Sequence, residues 1–518
     1  MKLSKKTLLP LLIFLSSLSL HLFKINNFPP SLNWDEVSHG YNAFSILKTG
    51  RDQWGQFLPL IFRAYGDYKL PLYIYLTVPF VLIFGLNPLA VRLPSALAGA
   101  LIPVYVYKIT LHFSQNRHLS LLTAFIALLS PWSIFLSRIA LEANLFCLLF
   151  LVSFYQLLRS KPIASANFYA LSLFTYNSSR ILLPFYLIAL FLSLKKQRPW
   201  SKKKIIWLLP FLFAIIIFLI QSLNSAGQAR YQWVSLLDSG AINRINELRA
   251  VYPRFLINKI TYFIFTAAKN YLSHFNPSFL FASGGSHYQF NIPDFPLISP
   301  FFLPFLLFGL IFSFSRSWLL YFFLISIIPS AITRDAPHTL RSIIFLPLSC
   351  LLIGFGLQKF IKKAPKTTLV LLVFILLYQQ INFWSRYQQY AVTYSQSWQY
   401  GYKEAVAFAK QNYSKYDQII FTKKYGEPHQ FILFYWPWEP SAYQNDPTKL
   451  WDYHASWYWI DAFDKFKFVN DWEIKDFKPL PSTLLITSPQ NYPPGGQLLH
   501  TINFLDNSPA FDIISYED

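Results

Sequence analysis

The stretch SLNWDEVSHGYNAFSILKTGRDQWGQFLPLIFRAYGDYKLPLY, Ser31 to Tyr73, decides how the rest of this chain is read. It follows the first long apolar run and holds Asp35, Glu36, Asp67 and Lys69 in a chain that is 54% hydrophobic and 13% charged. Charge beside hydrocarbon is costly and is kept where it works, so these four groups mark the place to look for chemistry. Asp35 also suits a plainer task, capping a helix that begins at Glu36.

Soluble domains carry about 25% charged residues. With 52 Phe and 32 Tyr as well, this composition predicts a polytopic membrane protein. Its apolar runs are continuous rather than alternating, which excludes a barrel and leaves an all-α body. A net charge of +21 would suggest nucleic acid in a soluble protein. Here it reflects basic loops that set orientation, and no nucleic-acid partner is expected. Cys147 and Cys350 fall inside apolar runs and read as packing residues. His, Cys and acidic residues never gather with ligand spacing, so no structural metal is predicted. No cofactor is required, and a divalent metal is not indicated. The start MKLSKKTLLPLLIFLSSLSL resembles a secretion signal without a small-residue cleavage site, so it is read as an uncleaved first span.

Apolar runs lie at 7–23, 91–110, 119–137, 141–158, 163–177, 180–194, 204–221, 300–314, 317–333, 340–356 and 367–383, giving about eleven spans. The basic clusters are Lys2/Lys5/Lys6, Lys108 with Arg117, Arg159/Lys161, KKQRPWSKKK at 195–204, Arg316, and Lys359/Lys362/Lys363/Lys366. With all of them cytoplasmic, every Asp and Glu falls outside, so the N-terminus is predicted inside and the C-terminus outside. Parity then forbids 71–86 from crossing if 91–110 does. It is predicted to lie in the outer interface, as is 255–272 with its Lys259 and Lys269. The domains expected are a multispan part, 1–383, with a first external loop at 24–90, and a small extracytoplasmic α/β domain, 384–518. In the latter, 400–413 reads as a helix and DQIIFTKK, QFILFYW, STLLITS and AFDIISYE as strands.

In this topology Arg92, Arg138, Glu142, Arg180, Asp335, His338 and Arg341 sit at outer span ends, where they and the first-loop charges could share one polar cluster. Arg and Lys at membrane level suit a lipid phosphate, and a carboxylate within reach takes the proton of an attacking hydroxyl. The plain readings are interfacial anchors for the arginines and a structural imidazole for His338. Glu142 reads equally as a helix-dipole partner or a group holding Arg138.

Several motifs together carry a family resemblance: Asp35–Glu36, the spaced TG–D–G–LP of 49–59, DYKLPLY (67–73), GLNPLAVRLPSAL (85–97), SRIALEA (137–143), NYLSHFNPSFLF (270–281) and PHTLR (337–341). Over roughly 30–380 the chain resembles the dolichyl-phosphate-mannose:protein mannosyltransferases and their bacterial relatives, the lipid A aminoarabinose transferases. The resemblance implies a GT-C fold and an inverting glycosyltransferase fed by a polyprenyl-phosphate sugar, with its active site in the first external loop. It puts the base or acceptor-binding carboxylate on Asp35, with Glu36 beside it. It makes Lys69, next to Asp67, the ligand of the donor phosphate, a role for which Arg138, Arg180 and Arg341 are further candidates. Asp67, Glu142 and His338 would support the site. Eukaryotic members have histidines near Asp67 and this chain does not, so the acceptor is left as protein, lipid or glycan. The expected setting is the plasma membrane, with the active site outside. The competing reading is a transporter or flippase of lipid-linked sugars; transporters place polar groups at mid-membrane, whereas the predicted span centres here are uncharged.

Overall fold

The structure, a computed structural model, describes residues 5–196, 206–285, 287–361 and 366–517. Lys2, residues 197–204 of the basic run, and Lys362/Lys363 lie outside the described residues. The chain forms two compact units, Met1–Phe23 with Ser95–Trp384, and Lys24–Pro94 with Ser385–Asp518.

The first unit is helical. Among the described residues, two helices are long and apolar enough to cross a bilayer by length and composition, Pro88–Ser114 and Asn177–Lys195. A third candidate is the pair Arg117–Leu129 and Pro131–Ser137, bent by 56°. Pro131 opens the second of these helices, and proline has no N–H to continue the ladder across the bend. Several other predicted spans are shorter or broken. The run 163–177 yields Pro162–Ser172, and 317–333 splits into Ser317–Ile325 and Ile328–Ala331. The tightest helix contact joins Leu303–Phe312 to Phe345–Ile361. A Cβ on Gly309 would meet the Leu352 carbonyl, and one on Gly356 would meet that of Phe305. Small residues let helix backbones approach in this way. The segment expected at the interface, 255–272, forms the helix Lys259–Ser273, capped by Asn258 and with no buried residue.

The second unit combines the first loop with the tail, whereas the sequence assigned the loop to the multispan part. Its seven-stranded sheet contains β3 (Gln418–Thr422), β4 (Leu450–His454), β5 (Trp457–Phe463), β6 (Phe466–Val469), β7 (Thr483–Thr487), β8 (Gln497–Asn503) and β9 (Pro509–Tyr516). The order is β4-β5-β6-β3-β7-β9-β8; β3 runs parallel to β6 and β7, and the remaining pairs are antiparallel. β7 is buried throughout, as a central strand covered on both faces should be. One predicted strand is corrected: QFILFYW lies mostly in a helix, Pro428–Tyr435. Pro428 stands at its first turn, where the fixed proline φ suits a helix start.

The loop contributes β1 (Phe62–Arg63) and β2 (Tyr68–Lys69), a two-stranded antiparallel hairpin. Strands of this length cannot bury a core alone, and the tail supplies the missing surface. The Tyr458 N–H donates to the Tyr65 carbonyl at 2.9 Å. The Gln444 amide donates to Ser45 Oγ (3.0 Å) and to the Asp52 carbonyl (2.9 Å). Gly426 has φ +114°, and a Cβ there would strike the Trp34 ring. The helix Pro71–Phe84, expected at the interface, is about 21 Å long at 1.5 Å per residue. That falls short of a hydrocarbon core of about 30 Å.

Candidate functional site

The helix Trp34–Thr49 begins one residue before Asp35, and its cap is Asn33 rather than Asp35. Asn33 Oδ1 accepts the Glu36 N–H at 3.0 Å, and Glu36 Oε2 accepts the Asn33 N–H at 3.2 Å. This reciprocal capping box leaves the Asp35 carboxylate in the first turn, 44% exposed, with Oδ1 3.0 Å from Lys69 Nζ. Asp67 Oδ1 lies 3.6 Å from the same nitrogen. Phe62–Lys69 and Arg63–Tyr68 pairing in the hairpin fixes where Lys69 stands. Asp35, Asp67 and Lys69 are thus brought together, the lysine only 13% exposed between two carboxylates.

Glu36 is held elsewhere. It takes the Arg92 guanidinium bidentately, at 2.9 Å from Nε and 3.1 Å from Nη2, with both side chains 1% exposed. The other Arg92 N–H groups donate to the carbonyls of Ile25 (2.7 Å), Pro29 (3.2 Å) and Ser31 (2.6 Å). One arginine therefore fastens the loop's entry to the start of its helix. The spaced TG–D–G–LP motif is a turn. Asp52 Oδ1 accepts the N–H groups of Trp54 and Gln56, both at 2.9 Å, and Gly50 and Gly55 have φ +69° and +86°. Burial of Asp52 pushes its carboxyl up from the usual range.

The remaining predicted residues belong to the helical unit. Arg138 is fully buried; it donates to the His21 carbonyl at 2.9 Å and lies over the Trp384 ring at 5.2 Å. Arg180 donates to the Leu173 carbonyl (3.1 Å) and Gln221 Oε1 (2.5 Å). Both satisfy groups at or near helix ends, which lack partners of their own. Arg341 donates to Thr333 Oγ1 (3.0 Å) and the Arg334 carbonyl (2.5 Å), with Asp335 Oδ2 3.9 Å away. His338 is buried against Phe290, ring centroids 5.3 Å apart. Glu142 is half-buried in the first turn of Glu142–Leu158, where a helix favours negative charge.

A second polar cluster lies in the loop-and-tail unit, at residues that the sequence reading did not single out. Glu427 accepts the Trp457 indole N–H at 2.5 Å, and His429 Nδ1 lies 3.5 Å from its other oxygen. The Tyr65 hydroxyl lies 3.4 Å from His429 Nε2, and the Gln430 amide bridges to Gln53 Oε1 at 2.6 Å. Burial raises the Glu427 carboxyl from its usual 4.5 to about 7 and holds His429 well below the usual imidazole range. The cluster underpins the turn between β1 and β2, two residues from Asp67. Its only sequence signal was a carboxylate ahead of PHQ in an aromatic stretch. Among the described residues, no three of His, Cys, Asp or Glu gather as a metal-holding group.

Residues 12–177 match the model of the dolichyl-phosphate-mannose-protein mannosyltransferase family. That segment contains Asp35, Asp67 and Lys69. No curated protein matches the chain in sequence. Among solved structures, the chain is similar to the oligosaccharyltransferase AglB from Archaeoglobus fulgidus, in complex with an inhibitory peptide and a dolichol-phosphate. That match has a TM-score of 0.49 and 12% identity over 83% of this chain and 63% of the other. It is also similar to ArnT from Cupriavidus metallidurans bound to undecaprenyl phosphate (TM-score 0.48, 12% identity, 98% of this chain and 96% of the other). The chain spans less than two thirds of the archaeal enzyme. The matched segment also contains the DYKLPLY (67–73) and SRIALEA (137–143) motifs.

Proposed function

We propose that this chain, which carries the mannosyltransferase family's match over its first loop, transfers a sugar from a polyprenyl phosphate to an acceptor hydroxyl, with inversion. The observation that carries this reading is the Asp35–Lys69–Asp67 cluster, held at a helix start by a hairpin. A lysine shared by two carboxylates can exchange one of them for a phosphate oxygen. In the reaction, Asp35 accepts the proton of the attacking hydroxyl, whose oxygen bonds to the anomeric carbon. The bond from that carbon to the phosphate oxygen breaks, and its electron pair leaves on the phosphate. Lys69 balances that charge, the larger share of the rate coming from such preorganised stabilisation. Asp67 orients the lysine, and Glu36 fixes the helix through Arg92.

Arg341 remains a candidate phosphate ligand, with His338 shaping its turn. We assign Arg138 and Arg180 to holding helix ends, with Glu142 as support. No metal or other cofactor is assigned a role. The proposed topology has about eleven spans, the N-terminus cytoplasmic, and both the site and the tail outside. In this topology 1–383 forms the transferase part and 384–518 completes the loop that it displays.

The test uses purified protein and a radiolabelled polyprenyl-phosphate hexose. Asp35→Asn is expected to slow transfer by about 10²–10⁴-fold; undiminished transfer removes Asp35 as base. Passage of the lipid-linked sugar across vesicles without glycosidic bond formation would favour the transporter.

A further inference from the structure

Strand β4 forms one edge of the seven-stranded sheet, and all five of its residues are exposed. Large bare side chains on an edge strand invite aggregation, so their presence points to a use. Trp451 and Tyr453, 46% and 57% exposed, share one face because alternate strand residues do. Tyr453 faces Tyr458 of β5, ring centroids 4.5 Å apart. Trp54 of the first loop stands edge-on to Trp451 at 5.6 Å and lies 5.8 Å from Tyr458. Arg63 lies over three of these rings, 5.0 Å from Trp54, 5.8 Å from Trp451 and 4.8 Å from Tyr458. Its charge ties the rings together by cation–π attraction. The Tyr68 hydroxyl lies 3.2 Å from that of Tyr458. Tyr68 precedes Lys69 in β2, so the hairpin that places Lys69 beside Asp35 also carries a residue of the platform, on its opposite face.

The six residues offer ring faces, phenol hydroxyls, the Trp451 indole N–H and a guanidinium, with no aliphatic side chain. A pyranose has matching surfaces, a face of C–H bonds that lies on an aromatic ring and a rim of hydroxyls for polar partners. Exposed Asp452 and Asp464 lie along this edge, Asp461 is paired with Lys423, and Arg63 sits over the rings, so the edge carries charge of both signs and no field that selects a charged ligand.

We propose that this platform is a subsite for neutral pyranose rings of a glycan acceptor. It would lead the acceptor's terminal hydroxyl toward Asp35. The assignment rests on the transferase reading, so binding and chemistry are measured apart. Full-length protein in nanodiscs is titrated calorimetrically with mannohexaose, cellohexaose and chitohexaose. At least one is expected to bind the wild type, and about tenfold more weakly to Trp451→Ala or Tyr453→Ala, with Trp451→Phe retaining binding. Both alanine changes are at exposed positions, and circular dichroism of each variant checks that it folds. Transfer of labelled sugar from the polyprenyl phosphate is read separately: if the wild type forms no glycosidic bond with any acceptor while glycan still binds, the transferase reading falls and the subsite stands. The subsite is overturned if none of the three glycans binds the wild type, or if the alanine variants bind as well as it does. It is also overturned if brominated lipids quench the fluorescence lost in Trp451→Phe, since the ring would then face the bilayer.

Discussion

Replacing Arg92 by Met tests the most constrained interaction in the loop-and-tail unit. The change removes two hydrogen bonds to a carboxylate that is 1% exposed and three to main-chain carbonyls. A buried charge left without its partner costs about 3–5 kcal/mol. The cost is capped near that figure, because Glu36 can take up a proton or draw in water. Glu36 also closes the cap of Trp34–Thr49, so the damage should concentrate there. Hydrogen exchange read by mass spectrometry on peptides covering 33–49 is the direct assay. Exchange through opening of this helix is expected to quicken by about 10²–10⁴-fold. Glu36→Gln combined with Arg92→Met is expected to recover much of the loss, since replacing a whole buried pair by neutral groups is often close to neutral. Exchange in Arg92→Met within about threefold of the wild type would refute the reasoning, for a 3 kcal/mol loss cannot hide in so small a change.

Two further outcomes follow from the same unit. Lys69→Met is expected to lower kcat/KM for the lipid donor by about 10²–10³-fold, the size seen when one oxyanion donor is lost; steady-state transfer assays with Lys69→Arg alongside give the comparison. For Glu427, the folded carboxyl titrates at about 7 against its ordinary 4.5. Folding therefore takes up a proton between those values, and the stabilisation is complete below about 4.5 and lost as pH rises through about 7. The gap is worth about 3 kcal/mol, and thermal unfolding of the tail followed from pH 5 to 8 should show it. Glu427→Gln is expected to flatten that pH dependence.

Asp35, Asp67 and Lys69 could be read from the sequence because charge next to hydrocarbon has few explanations, and two of the three share one short hairpin. Arg92 could not be assigned. Its partner lies 56 residues away, and an arginine at a span end fits a lipid head group just as well. The carbonyls that Arg138 and Arg180 satisfy near helix ends could not be foreseen, because that demand leaves no mark in composition. QFILFYW is a short, mostly apolar stretch, and periodicity cannot separate strand from buried helix at that length. The proline just before it decides the matter. The spans that break or fall short do so at prolines or loop closures, which an apolar count passes over. The loop's attachment to the tail escaped notice because it rests on main-chain and ring contacts, such as Tyr65 with Tyr458, that no motif announces.

That attachment also sets an order of assembly. The ribosome delivers Tyr65 early and Tyr458 only after most of the helical body has emerged, so the nascent loop waits for its partner throughout insertion. β9 lies between β7 and β8 and follows both in sequence, so the sheet cannot close until β9 has been made. A chain stopped at Gln490 is expected to insert normally and yet leave 31–73 open to protease; protection of that stretch in the shortened chain would show that the loop matures without its tail. Chains cut short before β9 are then expected to carry an unfinished first loop and, on the proposed function, no activity.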